Sequence, residues 1–334
     1  MSLLAACSVS AAALSACTSA EKSSDIDTAT MGDATAAVSP ASANPAGEVI
    51  PLDSDIAQVS DMERAGDTLA LRSGSKLQVG TLEEFRSKAA TTLDIDGQCG
   101  DMTATGSSFV LACPNAVYLI DKDAPSMDNK VSSDRNLSTA VQTTSGEIVA
   151  GVKDEATVVV IKDGKETKDF SVEDPTDEMV AVPVDGKPDA IVRINRKYTI
   201  IQDVKWADGK QGAILRMGKG VGQISPAEKG MVVASDTIGN QIGLYFADDV
   251  IRLQKTMTVP ESPWAVAWDH KNTLAWIAST KENQIVGYDP SQGNLDEKTR
   301  YQSVPDVHNM TVLDDGTIVA ASATGAGLEV IPSA

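Results

Sequence analysis

Beyond residue 48, apolar residues come in short runs separated by Gly, Asn, Asp and Ser, as in AVAWDHKNTLAWIASTKENQIVGYD and MTVLDDGTIVAASATGAGLEVI. Runs of that length, rich in β-branched and aromatic residues and bounded by turn formers, predict strand, turn and strand. No stretch carries the Leu and Ala periodicity that an all-helical fold needs. When the units are laid over one another, the first strand of each falls near Met62, Met102, Ala140, Val180, Ile224, Val266 and Met310, at intervals of 40, 38, 40, 44, 42 and 44 residues. A repeat of about forty residues with four short strands is the signature of a propeller. The expected fold class is therefore all-β, a seven-bladed β-propeller over residues 48–334, with six or eight blades as the alternatives. The clearest unit runs Ala265 to Trp268, Leu274 to Ser279, Gln284 to Tyr288 and Thr299 to Val304. The last unit supplies only three strands before Ala334, so Glu48 to Leu52 is expected to add the fourth. An N-terminal strand closing the ring in this way removes the unpaired edge between first and last blades.

The first residues follow a different pattern. Residues 1–16, MSLLAACSVSAAALSA, are uncharged and end in Leu14-Ser15-Ala16 directly before Cys17, the arrangement of a bacterial lipobox. Small residues ahead of a Cys let a lipoprotein peptidase cut and leave Cys17 as an acylated N-terminus. Leu4-Ala5-Ala6-Cys7 also fits, but too few residues precede it for the apolar core of a signal peptide. A membrane-spanning helix would need about 20 apolar residues, longer than this Ser-rich run. The run from Thr18 to Gly47, TSAEKSSDIDTATMGDATAAVSPASANPAG, lacks any large apolar cluster. It cannot bury enough surface to offset ordering entropy, so residues 17–47 are expected to be a disordered tether, with an end-to-end distance of about 30 Å for a random coil.

Charge and cysteines add a compartment. The chain has 334 residues with 28 Lys and Arg against 47 Asp and Glu, a formal net charge of −19. That surplus argues against nucleic acid or an anionic lipid surface as the main partner. Its spread over Glu83-Glu84, Glu173-Asp174, Asp177-Glu178 and Asp248-Asp249 reads as a solvated exterior. With Cys7 removed and Cys17 acylated, Cys99 and Cys113 remain, in CGDMTATGSSFVLAC. If this is a hairpin turning at Gly106, the two face each other and can form a disulfide, which suits an oxidising extracytoplasmic site. The alternative is two reduced, buried thiols.

The tether followed by PAGEVIPL, and the stretch SPWAVAWDHKNTLAWIASTKENQIVGYDPSQGNLDEKTRYQSV with TGAGLEVI near the end, resemble the actinobacterial propeller lipoproteins known as LppL. The similarity covers nearly the whole chain and is most specific from Pro263 to Ile331. It implies a lipid-anchored propeller on the outer face of the cytoplasmic membrane, and no activity. More distantly the units resemble NHL and YVTN-type repeats, which bears on fold and not on function.

Candidate chemistry is sparse. No G-x-S-x-G or G-x-x-x-x-G-K-[ST] occurs, and the two histidines, His270 and His308, sit in different units. His270 reads as a turn residue in Asp269-His270-Lys271-Asn272, while His308 precedes an inner strand. Residues just before inner strands should ring the channel mouth, which singles out Gln58, Asp101, Ser138, Glu178, Gln223, Trp264, His308 and Asn309 as a candidate ligand site. Trp206, Trp268 and Trp276 read as packing residues. No metal set is assigned. Calcium is the one cofactor considered, because some propeller lactonases hold a divalent ion in the channel, but Asp94-Ile95-Asp96-Gly97 and Asp121-Lys122-Asp123 read better as strand-end turns. The expected function is a non-catalytic, monomeric binding or assembly module anchored in the envelope, with a protein or glycan partner. The alternative is a metal-dependent, lactonase-like hydrolase using the channel.

Overall fold

The computed structural model describes residues 31–42 and 44–333. The expected signal peptide, Cys7 and the expected acylation site Cys17 lie outside the described residues. No helix of the described residues is long and apolar enough to cross a membrane.

Among the described residues twenty-six strands build the ring. The first, β1 (Glu48–Ile50), joins the sheet formed at the other end of the chain. One sheet holds β2 (Asp61–Ala65), β3 (Thr68–Ser73), β4 (Lys76–Thr81) and β5 (Thr91–Asp94). Between β4 and β5 lies a short helix, α1 (Leu82–Ser87), closed by a Thr81–Glu84 capping box and pinned by the buried Phe85. The next sheet has six strands: β6 (Met102–Ala104), β7 (Ser108–Asp121), β8 (Lys130–Gln142), β9 (Ile148–Val152), β10 (Thr157–Lys162) and β11 (Lys165–Ser171). Then come β12 (Glu178–Val182), β13 (Ala190–Asn195), β14 (Ile200–Lys205) and β15 (Lys210–Arg216). They are followed by β16 (Val221–Pro226), β17 (Met231–Asp236), β18 (Gln241–Phe246) and β19 (Arg252–Thr258). A further sheet consists of β20 (Pro263–Asp269), β21 (Leu274–Ser279), β22 (Gln284–Asp289) and β23 (Asp296–Gln302). The last combines β24 (Val307–Val312), β25 (Ile318–Ser322) and β26 (Leu328–Ile331) with β1, whose Val49 lies opposite Glu329.

The expectation of seven blades is corrected here: counted as continuous sheets, the blades number six. The seven marker positions all lie in strands, but Met102 and Ala140, assigned to different units, share the six-stranded sheet. The cause is the length of β7 and β8, at 14 and 13 residues. Each strand changes its pairing partway: β7 doubles back at Pro114-Asn115, the Lys122 amide donating to the Ser107 carbonyl at 3.1 Å, and β8 passes from pairing with β7 to pairing with β9 between Leu137 and Thr139, so what reads as two units is one continuous sheet. Asn115 takes the left-handed φ of 65° that this tight reversal needs.

Burial follows strand position. Central strands such as β9, β17 and β25 are buried along their whole length, as strands covered on both faces must be, while the outermost β11, β19 and β23 alternate between exposed and half-buried residues. The core is a series of apolar clusters between neighbouring sheets, with one inside the six-stranded sheet where Ala112, Val117, Leu137 and Ala140 pack together. Trp206, Trp268 and Trp276 are all buried in these clusters.

Two local expectations need adjusting. The β6–β7 hairpin sets Met102 opposite Leu111 and Thr103 opposite Val110, one residue out of the register expected from a turn centred at Gly106. The Cys99–Cys113 disulfide forms nonetheless, because the chain before β6 stays beside β7, with the Gly100 amide donating to the Ala112 carbonyl at 2.7 Å. The C-terminal part of the expected tether is laid on the ring and is not free as far as Gly47. The Asp33 amide donates to the Arg196 carbonyl at 2.9 Å, the Ser39 amide to the Asp306 carboxylate at 2.8 Å, and the Ser42 hydroxyl to the Ser303 carbonyl at 2.6 Å. Composition registers the missing apolar surface of this strap but not its hydrogen bonds.

Candidate ligand-binding channel

The inner strands surround a cavity of about 820 Å³. Six of the eight expected mouth residues line it: Asp101, Glu178, Gln223, Trp264, His308 and Asn309. Gln58 and Ser138 do not. Gln58 is exposed on the loop before β2, and the Ser138 hydroxyl is turned away to donate to the Thr176 carbonyl at 2.8 Å.

Side chains missed by sequence complete the wall. On β2, Met62 enters the core, so Asp61 and Glu63, its alternate neighbours, face the channel. The signal was an inner strand, DMERA, with acids at period two. The Asp61 carboxylate accepts from the Met102 amide at 2.9 Å, tying β2 to β6. Asp101 accepts from the Thr139 hydroxyl at 2.9 Å, and its own amide donates to the Ser138 carbonyl at 2.7 Å. That approach requires glycine at position 100, where a Cβ would fall 1.9 Å from the Ser138 oxygen. Glu178 accepts from the Ile224 amide at 3.0 Å and pairs with Arg196. Arg196 also donates to the Gly222 carbonyl at 2.7 Å and lies 5.8 Å from the centre of the Trp264 ring, within cation–π range. Trp264 in turn packs against His308, with centroids 5.8 Å apart. Arg72 is turned to the Cys99 and Gly100 carbonyls, and Arg64 to Asp314 at 2.9 Å.

The channel wets these carboxyls only in part, and protein encloses them. Burial pushes Asp61 up to about 7, against the hydrogen bond from Met102 and the charge of Arg72. Glu63 is raised well above the usual range by burial and then by the charges of Asp61 and Glu178. Asp101 is raised in the same way by burial and by Asp61, Glu178 and Glu63. Burial also raises Glu178, only partly opposed by Arg196, and lowers His308, opposed by Asp306. An environment that favours neutral acids and a neutral imidazole can donate protons to a ligand, or exchange protons for a cation.

Among the described residues no group of three or more His, Cys, Asp or Glu side chains is placed to hold a metal ion. The two acidic runs are turns: Asp96 accepts from the Gln98 amide, and Asp121 from the amides of Asp123 and Ala124. His270 is exposed at the cavity rim, on the turn after β20.

A ring of antiparallel sheets around a polar channel defines a β-propeller. No family model and no curated protein matches the chain. Solved structures do. A chain of a mitotic checkpoint complex is 10% identical, covering 99% of this chain and 99% of its own length, with a TM-score of 0.68. The β-propeller domain of Cps50 (Swd1) from Myceliophteria thermophila is 11% identical over 86% of this chain and 100% of its own, with a TM-score of 0.66. A streptogramin B lyase is 13% identical over 85% and 96%, with a TM-score of 0.65. Similarity at these identities shows the generic propeller fold and nothing about activity.

Proposed function

We propose that the protein is a binding or assembly module of the cell envelope, lipid-anchored through Cys17 to the outer face of the cytoplasmic membrane, as its resemblance to the LppL lipoproteins implies. The observation that carries the binding reading is the 820 Å³ channel, in which residues from several sheets meet around one polar space of the size that small-molecule sites use. The Cys99–Cys113 disulfide supports an oxidising compartment. Structural neighbours include a chain crystallised within a checkpoint complex, which supports a protein partner as one use of the broad propeller faces. Metabolic labelling with a fatty acid tests the anchor: label is expected on the wild-type chain and on Cys7→Ala, and is lost in Cys17→Ala. Label retained by Cys17→Ala overturns the anchor. Cross-linking on intact cells, read by mass spectrometry, tests the partner.

A second reading, a channel hydrolase of lactonase type, draws on the raised pKa values of Asp61 and Asp101, since displaced titrations cluster at catalytic sites. Turnover of a lactone panel that disappears in Asp101→Asn would favour it.

A further inference from the structure

We infer that the channel takes a small organic polycation, a molecule with two or more protonated amines on an alkyl spacer, held by Asp61, Glu63 and Asp101 with Asn309 and Trp264 on the strands beside them. This rests on the binding reading above and specifies its ligand.

The charge balance of the cavity points that way. Of the charged groups facing it, Arg64 is engaged by Asp314 and Arg196 by Glu178. Three carboxylates remain, from β2 and the approach to β6, against the single guanidinium of Arg72, which already donates to two backbone carbonyls. Glu63 has no hydrogen-bond partner among the described residues, although the fold turns it inward. Carboxylates brought together without counter-charge cost stability that a bound cation would restore.

A second observation lies beside β2, on the adjacent inner strand β24, and involves no acid. Asn309 lines the cavity and is only 6% exposed. Its Nδ2 has one contact, to the Val59 carbonyl at the limiting distance of 3.5 Å, and its Oδ1 accepts no hydrogen bond from the described residues. Oδ1 is thus an acceptor open to the cavity, and an ammonium N–H is a donor it would take. Trp264 adds an aromatic face to the same wall.

The occupant is organic because the acids do not converge as metal ligands do. They are spread along the wall of a space that holds a molecule of many atoms, so separated charges on a chain match them better than one point charge. The neighbouring charges that set their titration are Arg72 on β3, Arg64 on β2 and Glu178 on β12, with Arg196 after β13 and His308 on β24 lining the same space. Only Arg72 keeps a positive charge with no carboxylate partner, one against three acids, because Arg64 pairs with Asp314, Arg196 pairs with Glu178 and His308 is held neutral.

The test is calorimetric titration of the full chain at pH 7.5 with spermidine, putrescine and calcium chloride, each in HEPES and in Tris. Spermidine is expected to bind, with a heat that depends on the buffer because bound amines displace protons from the acids, and more tightly at pH 8.5 than at 6.5. Glu63→Gln and Asp101→Asn should each weaken it at least tenfold, while Glu83→Gln, on the exposed helix, leaves it unchanged. Glu63→Gln removes no hydrogen bond, so its thermal midpoint should not fall and its binding defect is readable even if Asp101→Asn folds poorly. Spermidine affinity unchanged in both variants, calcium binding tighter than spermidine, or no heat with either amine would each overturn the polycation. The last outcome leaves the envelope binding module standing or falling on its labelling and cross-linking tests.

Discussion

Glu329 is the clasp of the ring, and its removal should unfasten it. The residue sits on β26, is fully buried, and reaches two other parts of the chain. Its carboxylate accepts from the Gly47 amide at 3.0 Å, where the chain enters β1, and from the Val304 amide at 2.8 Å, where it leaves β23. Glu329→Ala strands the buried Val304 N–H at about 1–3 kcal/mol and leaves the half-buried Gly47 N–H to a weaker bond with water, at about 1 kcal/mol. Against this, burial already pushes the carboxyl's pKa up, so the wild-type interaction is partly offset by desolvation. A net loss of about 3 kcal/mol follows. Glu329→Gln keeps an acceptor for one amide but sets an NH₂ against the other, for about 1–2 kcal/mol. The predicted order is wild type, then Gln, then Ala, with midpoints falling by about 2 °C per kcal/mol for a domain of this size. Because β1 is only three residues long, amide exchange at Val49 and Ile50 should accelerate before the rest of the ring opens. Denaturant unfolding and hydrogen exchange measure both effects. Equal stability of all three proteins, within about 0.5 kcal/mol, would refute the clasp.

Asp306→Ala removes the acceptor of the Ser39 amide and of the Thr324 hydroxyl, both at 2.8 Å, so exchange at residues 37–42 should quicken while core strands keep their protection. Unchanged exchange there would mean the strap is held elsewhere. Asp61 titrates near 7 in the fold against an ordinary 3.8, so the folded state binds more protons between those values and stability falls as pH rises through that window. Asp61→Asn, whose oxygen can still accept from Met102, should flatten that slope and add about 1–2 kcal/mol at pH 8 after screening by channel water; parallel pH profiles of melting would contradict this. Cys113→Ser opens the loop closed by Cys99 and should cost about 3 kcal/mol on loop-entropy grounds, measured by unfolding with and without reductant.

What the sequence revealed depended on whether the signal was local. The inner strands were legible because each unit repeats an apolar run at about forty-residue spacing, and Met62, Val180, Ile224, Val266 and Met310 fall on β2, β12, β16, β20 and β24. The sheet count was not, because nothing in that spacing shows that pairing runs unbroken from the Pro114-Asn115 hairpin of β7 along β8 to β9. Asp101 and Glu178 were found by their place at inner-strand starts. Asp61 and Glu63 were overlooked because they lie on β2 itself, where alternating acids resemble the exposed side of an edge strand. Only the ring closure turns that side inward.

That inward turn carries the functional argument. A propeller needs its inner wall to be polar enough to hold water, and Gln223 and Thr311 on neighbouring strands meet that need with neutral side chains. Asp61, Glu63 and Asp101 exceed it: each is held away from its ordinary ionisation by burial and by the others, a cost the architecture does not require. The loop that presents Asp101 is fixed more firmly than its length warrants, by the Cys99–Cys113 bond, by Arg72 on two carbonyls and by the close approach at Gly100. Rigid support under an unfavourable charge cluster is the arrangement expected where a site has been kept at the expense of stability. The same support explains why the cluster cannot relax by swinging into solvent, and why a ligand that brings positive charge into the channel gains the full benefit of relieving it.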